Sequence, residues 1–223
     1  MKKITLIAAS LLVAGTSAFA QTTTTAASTV GTTKFGLKAG VNLAKYSYGK
    51  DDADNPESGQ LTNFHVTGYA DIPLGGFFAL QPGISLQGKG GEFTIPAETR
   101  KENTMWVEVP VNLVGKIPLG AGGTHLFLGA GPYAAFAVAG ENETTLTGST
   151  NVNTSKIKFG NESTDQLKGI DFGLNGLAGF QLANGLNLGA GYGFGLTDLF
   201  PTGTGGNNQK TNRVLSFSVG FAF

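Results

Sequence analysis

The sequence ends on LSFSVGFAF, residues 215–223, where large apolar residues alternate with small or polar ones. Successive side chains of a β-strand point to opposite faces, so the large apolar residues all share one face. They are Leu215, Phe217, Val219, Phe221 and Phe223. A strand with one apolar face and one small, polar face is typical of a transmembrane β-barrel, whose outside contacts lipid and whose interior is polar.

Seven earlier segments show the same alternation and are predicted strands: 34–46, 61–72, 77–89, 104–117, 125–139, 167–182 and 186–198. Their connections alternate between long polar loops and short turns, and the predicted loops are 49–60, 90–103, 140–166 and 199–211. Outer-membrane barrels have an even number of strands, short periplasmic turns and longer external loops. The predicted fold class is therefore all-β: an eight-stranded antiparallel up-and-down transmembrane β-barrel.

Several local features refine this prediction. Asn184-Gly185 is a strong hairpin signal, and Pro73-Leu74-Gly75-Gly76 predicts a second tight turn. Pro82 cannot donate a ladder hydrogen bond, so we expect a bulge or a local break at that residue. Tyr46 and Tyr48 follow the first apolar run and are expected in an interfacial aromatic belt.

The amino-terminal residues 1–20 have the pattern of a secretory signal peptide. Two lysines precede an apolar run, and Ala18-Phe19-Ala20 supplies a small-x-small cleavage site. Residues 21–33 are rich in Thr, Ala and Ser and are predicted to form a flexible lead-in, which leaves 34–223 as the barrel domain. The expected location of the exported protein is the cell outer membrane.

Composition narrows the classes of partner. The formal net charge is zero and only 13% of residues are charged, so no basic field attracts nucleic acid. The sequence contains no cysteine, so no disulfide stabilises it. The expected partners are outer-membrane lipid and other envelope proteins, with the chain a monomer or a small oligomer.

The interior of an eight-stranded barrel is just wide enough to be filled by side chains, so an open pore is not expected. Four charged residues are predicted to point inward and to pair across the lumen: Lys38, Glu108, Lys116 and Asp171. A gated ion or proton path is one interpretation, and internal ionic filling is the favoured one. Tyr69, Phe127 and Tyr133 are predicted to fill the space left by the glycines of the seventh strand.

No catalytic or cofactor site is predicted. His65 and His125 are the only histidines and fall near opposite ends of the predicted barrel, without a positioned nucleophile. Acidic and amide side chains in the first loop could ligate calcium, although their spacing lacks the EF-hand pattern and a solvated acidic loop is favoured. These residues are Asp51, Asp52, Asp54, Asn55 and Glu57.

Six short motifs resemble the PorT-type outer-membrane β-barrel domain family: GLKAGVN (36–42), LQPG (80–83), VEVP (107–110), GAGPY (129–133), DFG (171–173) and YGFGL (192–196). The resemblance implies an eight-stranded outer-membrane barrel. PorT itself belongs to a protein secretion and gliding apparatus, but no residue of this sequence indicates that it shares the secretion role. The predicted function is structural: a barrel that presents external loops to partners or scaffolds the envelope. The alternatives are a narrow porin-like transport channel and a secreted soluble ligand-binding barrel.

Overall fold

The computed structural model describes residues 31–49, 58–204 and 209–223. Within these ranges there are nine strands: β1 (Lys34–Tyr48), β2 (Leu61–Gly75), β3 (Phe78–Ile95), β4 (Glu98–Pro118), β5 (His125–Leu146), β6 (Val152–Lys156), β7 (Ile170–Gln181), β8 (Leu186–Gly195) and β9 (Lys210–Ala222). No helix in these ranges is long and apolar enough to cross a membrane.

Eight of the strands form a closed antiparallel ring in the order β4-β3-β2-β1-β9-β8-β7-β5, because β4 also pairs with β5. The first and last strands are paired to the end of the chain. Phe35 N donates to Phe223 O at 3.2 Å, and Phe223 N donates to Phe35 O at 2.8 Å. The predicted fold class is confirmed.

The outer surface of the ring is an apolar band, which we call the lipid belt. On β9, Val219 is 51% exposed and Phe223 is 70% exposed, whereas Val214 and Ala222 on the opposite face are buried. The remaining ring strands expose Leu, Val, Ile and Phe in the same alternating pattern. So large an exposed apolar surface is stable only against a non-aqueous solvent.

Aromatic side chains mark both rims of the lipid belt, as in transmembrane barrels. The rim beside the short turns exposes Phe35, Phe77, Phe78, Phe221 and Phe223. The opposite rim exposes Phe64, Phe136, Phe172 and Phe194.

The interfacial position predicted for Tyr46 is wrong, because its side chain points into the ring and is only 3% exposed. The physical reason is strand parity. Tyr46 and Tyr48 share a face with Asn42 and Ala44, both of which are buried, and this is the face opposite Val41.

The turns follow the sequence signals. Gly185 has a φ of 96° and its N–H donates to Leu182 O at 3.0 Å, which closes the predicted Asn-Gly hairpin between β7 and β8. The β2–β3 pairing is interrupted at Pro82. The pairs on either side of the gap are Tyr69 with Gly83 and Ile72 with Leu80, and the register is the same on both sides. The expected local break is therefore present.

Two of the predicted loops are wrong. Residues 90–103 continue β3 and β4 around the two-residue turn Pro96-Ala97, and the start of 140–166 continues β5 before β6 pairs with it. These segments lie beyond the lipid belt, so neither face needs to be uniformly apolar. The alternation that identified the membrane strands therefore disappears, although the backbone pairing continues.

Several expectations fall outside the described residues. Residues 1–30, which contain the predicted signal peptide and most of the lead-in, are among them. The acidic and amide residues of 51–57 are also outside the described ranges.

Candidate functional site

The inward face of the ring carries a buried set of charges, which we define as the ion cluster: Lys89, Glu108 and Asp171. Lys89 Nζ lies 2.9 Å from Glu108 Oε2 and 3.1 Å from Asp171 Oδ2. None of the three side chains is more than 4% exposed. Lys89 and Glu108 come from neighbouring strands and Asp171 from β7, so the cluster links β7 to the β3–β4 pair.

Hydrogen bonds complete the environment of both carboxylates. Asp171 Oδ2 accepts from Tyr133 Oη at 3.1 Å and from Asn212 Nδ2 at 2.8 Å. Glu108 Oε1 accepts from Asn175 Nδ2 at 3.1 Å. Buried charges are tolerated only when they are paired and hydrogen-bonded, and the cluster meets this condition on all but Asp171 Oδ1.

The four predicted lumen charges all face inward but are not all paired. The two carboxylates belong to the ion cluster, and Lys116 forms an ion pair with Asp71. Lys38 forms no ion pair with any residue in the described ranges, contrary to the expected pairing. Its ammonium lies 5.8 Å from the centre of the Tyr69 ring instead.

A polar cavity occupies the lumen on the short-turn side of the ion cluster. About 90 Å³ of it is accessible to the centre of a water molecule. Lys38, Asn112, Lys116, Gln181 and Asn187 line its walls. The Lys116 side chain is 25% exposed, whereas the ion cluster is fully enclosed, so the cavity is the wetter half of the lumen.

The two histidines both border this cavity. His65 Nδ1 lies 2.8 Å from Asn42 Oδ1, and His125 Nδ1 lies 3.3 Å from the Gly123 carbonyl oxygen. The aromatic filling predicted beside the glycines of 186–198 is found only for Phe127, whose Cζ lies 3.2 Å from where a Cβ on Gly189 would be and 2.5 Å from that of Gly179. The prediction is wrong for the other two rings, because Tyr133 lies against Gly173 and Tyr69 against Gly36.

Beyond the ion cluster, at the long-loop end, the lumen is closed by apolar side chains that we call the apolar seal. Trp106 is completely buried and packs edge-on against Phe159, with ring centres 5.9 Å apart. The other buried members of the seal are Tyr46, Phe93, Ile157, Leu167 and Leu199. Together with Trp106, these residues come from the three ring strands β1, β3 and β4 and from two loops, so the loops fold over the mouth of the barrel.

A second buried ion pair joins Lys210 to Glu102 beside the seal. Lys210 Nζ also lies 4.0 Å from the centre of the Tyr46 ring, which stacks on Phe93 at 6.1 Å. The cation is therefore held between a carboxylate and an aromatic face. This contact ties β9 to β1 and to the continuation of β4.

The continuations of β3, β4 and β5, together with β6, form an antiparallel sheet beyond the ring, which we call the protruding sheet. A register shift begins it: Met105 pairs with Ala139 and Trp106 with Ala137, so Val138 is an extra residue. Such a bulge bends a strand and exchanges its faces from that point onward. β6 lies at the edge, and among the strands of the described residues it pairs only with β5.

Sequence reasoning missed several residues of this end. Trp106 lies two residues before Glu108 and so falls on the same face of the strand as Glu108 and Asn112. This alternation would have predicted that its side chain points into the lumen. No local pattern identifies Lys89 as the common partner of two carboxylates, because the contact with Asp171 spans 82 residues of sequence.

A closed ring with an apolar exterior and paired charges inside defines a transmembrane β-barrel. The profile of the family described as "Outer membrane protein beta-barrel domain" matches residues 19–201. The chain therefore belongs to this family and is an outer-membrane protein. In such barrels short turns face the periplasm, so the apolar seal and the protruding sheet lie on the external side.

Comparison with solved structures finds several small outer-membrane proteins. Neisserial surface protein A is 14% identical with a TM-score of 0.43, and 86% of this chain aligns with 100% of that one. Ail of Yersinia pestis is 11% identical with a TM-score of 0.41, covering 85% and 98%. OprG of Pseudomonas aeruginosa is 12% identical with a TM-score of 0.43, covering 85% and 95%. No curated protein sequence matches the chain.

Removing the cation of the ion cluster is expected to destabilise the barrel. Lys89→Met leaves Glu108 and Asp171 buried without their cation, which should lower the free energy of unfolding by about 3–5 kcal/mol. Urea unfolding in lipid vesicles measures the change.

The matched control is Lys101→Met, because Lys101 pairs with Glu92 at 3.5 Å on a partly exposed surface. The cost there should be only about 0–1 kcal/mol. Equal losses in the two variants would contradict the assignment of the ion cluster as a buried unit.

Proposed function

We propose that this outer-membrane barrel displays the protruding sheet at the cell surface, where the free edge of β6 binds an extended segment of a partner protein. The observation that carries the proposal is the outer edge of β6, with which no strand pairs in the part of the chain that the structure describes. An exposed sheet edge presents a row of backbone donors and acceptors that another strand can complete. The barrel is then an anchor that holds this edge above the membrane.

The free groups of β6 can be identified from its pairing. Ile157 N donates to Gly140 O at 2.9 Å, and the same register continues along β6. Backbone groups point alternately to the two sides of a strand, so those of Val152, Thr154 and Lys156 point away from β5. No strand in the described residues pairs with this edge, and all five residues of β6 are exposed.

The closed lumen favours this role over the alternative of a transport channel. A solute entering from outside would meet the apolar seal first and the ion cluster behind it. Trp106 and Leu199 are completely buried in that seal, and Lys89 is ion-paired below it. The lumen is thus filled in the way that stabilises a small barrel rather than opened as a path.

Further parts of this role extend the proposal. The residue pattern of 1–20 supports an export signal, and the six motifs quoted above support a relationship to PorT-type barrels. We propose other envelope proteins as the partners, no catalytic activity, and a monomer or small oligomer.

The edge proposal is tested by a photo-crosslinking residue introduced at Ser155 in cells that carry their native envelope. We expect a discrete adduct of higher mass. Thr154→Pro removes an N–H of the free edge and should abolish the adduct, whereas Thr154→Ala keeps the N–H and should retain it.

Asn153→Pro is the variant for comparison. Asn153 pairs with Thr144 and its N–H points toward β5, so this proline removes an N–H on the β5 side of the strand and not one on the free edge. Thr154→Pro should leave the heat-modifiable gel mobility of the barrel unchanged. An absent adduct, or one of equal yield in the Thr154→Pro variant, would contradict binding at this edge.

The channel alternative is tested by reconstituting the full chain in a planar bilayer. We expect no unitary current steps, because the apolar seal blocks the external mouth. Single-channel recording measures this directly. Reproducible steps at the same protein concentration that yields correctly folded barrel by gel mobility would show that the seal opens.

A further inference from the structure

Two cations face each other on the outer surface of the barrel. Lys45 on β1 is the direct cross-strand partner of Arg213 on β9, and both have the parity of the lipid-facing residues Val41 and Phe217. Like charges directly opposite each other in a sheet are destabilising. The pair therefore favours binding of an anion that lies between or above the two side chains.

The position of the pair limits what that anion is. The next outward-facing pair toward the periplasm is Leu43 with Leu215, and the next pair away from it is Ser47 with Thr211. Lys45 and Arg213 thus lie where the lipid belt ends at its external rim. The headgroups of the outer leaflet occupy this level of a transmembrane barrel.

The Arg213 side chain is held in place by contacts that use only part of its hydrogen-bond donors. Its Nη1 donates to the carbonyl oxygens of Gly195 at 2.8 Å and Asn212 at 2.7 Å. Its guanidinium carbon lies 3.7 Å from the centre of the exposed Phe194 ring. Both of these hydrogen bonds use Nη1, so within the described residues the N–H groups of Nε and Nη2 are left for another acceptor.

A groove of about 280 Å³ adjoins this guanidinium. Its walls combine the apolar Phe194 and Leu196 with the hydroxyl-bearing Ser47 and Thr211. Within residues 31–49, 58–204 and 209–223, neither Lys45 nor Arg213 forms an ion pair with a carboxylate. The groove lies on the external side of Arg213, so it has room for the polar headgroup of a lipid whose acyl chains extend the opposite way, over Leu43 and Leu215.

We propose that Lys45 and Arg213 bind the phosphate group of an outer-leaflet lipid, with the acyl chains of that lipid lying against Leu43 and Leu215 in the lipid belt. Arginine binds phosphate through charge-assisted and often bidentate hydrogen bonds, and lysine adds a second positive charge. The bound phosphate relieves the repulsion between the two cations. The site therefore fixes one lipid to the β8–β9–β1 side of the barrel.

The experiment titrates the folded full chain in neutral detergent with lipid A and counts bound lipid by native mass spectrometry. Wild-type protein should bind lipid A at least about tenfold more tightly than dephosphorylated lipid A, since charge-assisted bonds are the strong ones. The Lys45→Gln/Arg213→Gln double variant should lose this preference. Arg213→Lys should retain more of it than Arg213→Gln.

Lys101→Gln is the matched control, because Lys101 is a partly exposed cation on the protruding sheet, away from the groove, and should leave the affinity unchanged. Gel mobility before and after heating establishes that each variant is folded. Equal affinity for the two lipids, or full affinity in the double variant, would overturn the proposal. Displacement of lipid A by inorganic phosphate at an equal phosphate concentration would also overturn it, because the ligand would then be a soluble anion.

Discussion

The absence of water on the outside of the ring is the constraint on which the rest of the structure depends. A backbone N–H or C=O facing lipid has no solvent partner, so each membrane-spanning strand must pair on both sides. The pairings of β4 with β5 and of β1 with β9 meet this requirement by closing the ring. The same constraint selects the large apolar side chains of the lipid belt and sends the polar ones inward.

Polar side chains sent inward create a second problem, which the ion cluster and the apolar seal solve together. The lumen is too narrow to hydrate every charge, so Lys89 compensates two carboxylates and Lys210 compensates Glu102. Above them, Trp106 and its neighbours exclude water from the external mouth. A barrel closed in this way is consistent with the proposal that its external sheet, and not its lumen, is the surface for interaction.

The sequence predicts the membrane-spanning part well because lipid imposes a simple rule there. The alternation in 215–223 and the Asn184-Gly185 turn each follow from local chemistry, and both are found as expected. Beyond the membrane the alternation of apolar and polar residues is no longer required. The continuations of β3 and β4 are therefore predicted as a loop. Contacts across the ring are the other limit: Lys210 and Glu102 are 108 residues apart, and no spacing in the sequence relates them.

The most direct test of the closed barrel is a scan of single cysteines along 215–223, which is clean because the chain has no cysteine of its own. Each cysteine is spin-labelled in the protein reconstituted in lipid vesicles, and its accessibility to oxygen is measured by electron paramagnetic resonance. We expect high accessibility at positions 215, 217, 219, 221 and 223 and low accessibility at the positions between them. A uniform profile, or the opposite alternation, would contradict a barrel with lipid outside and a filled lumen.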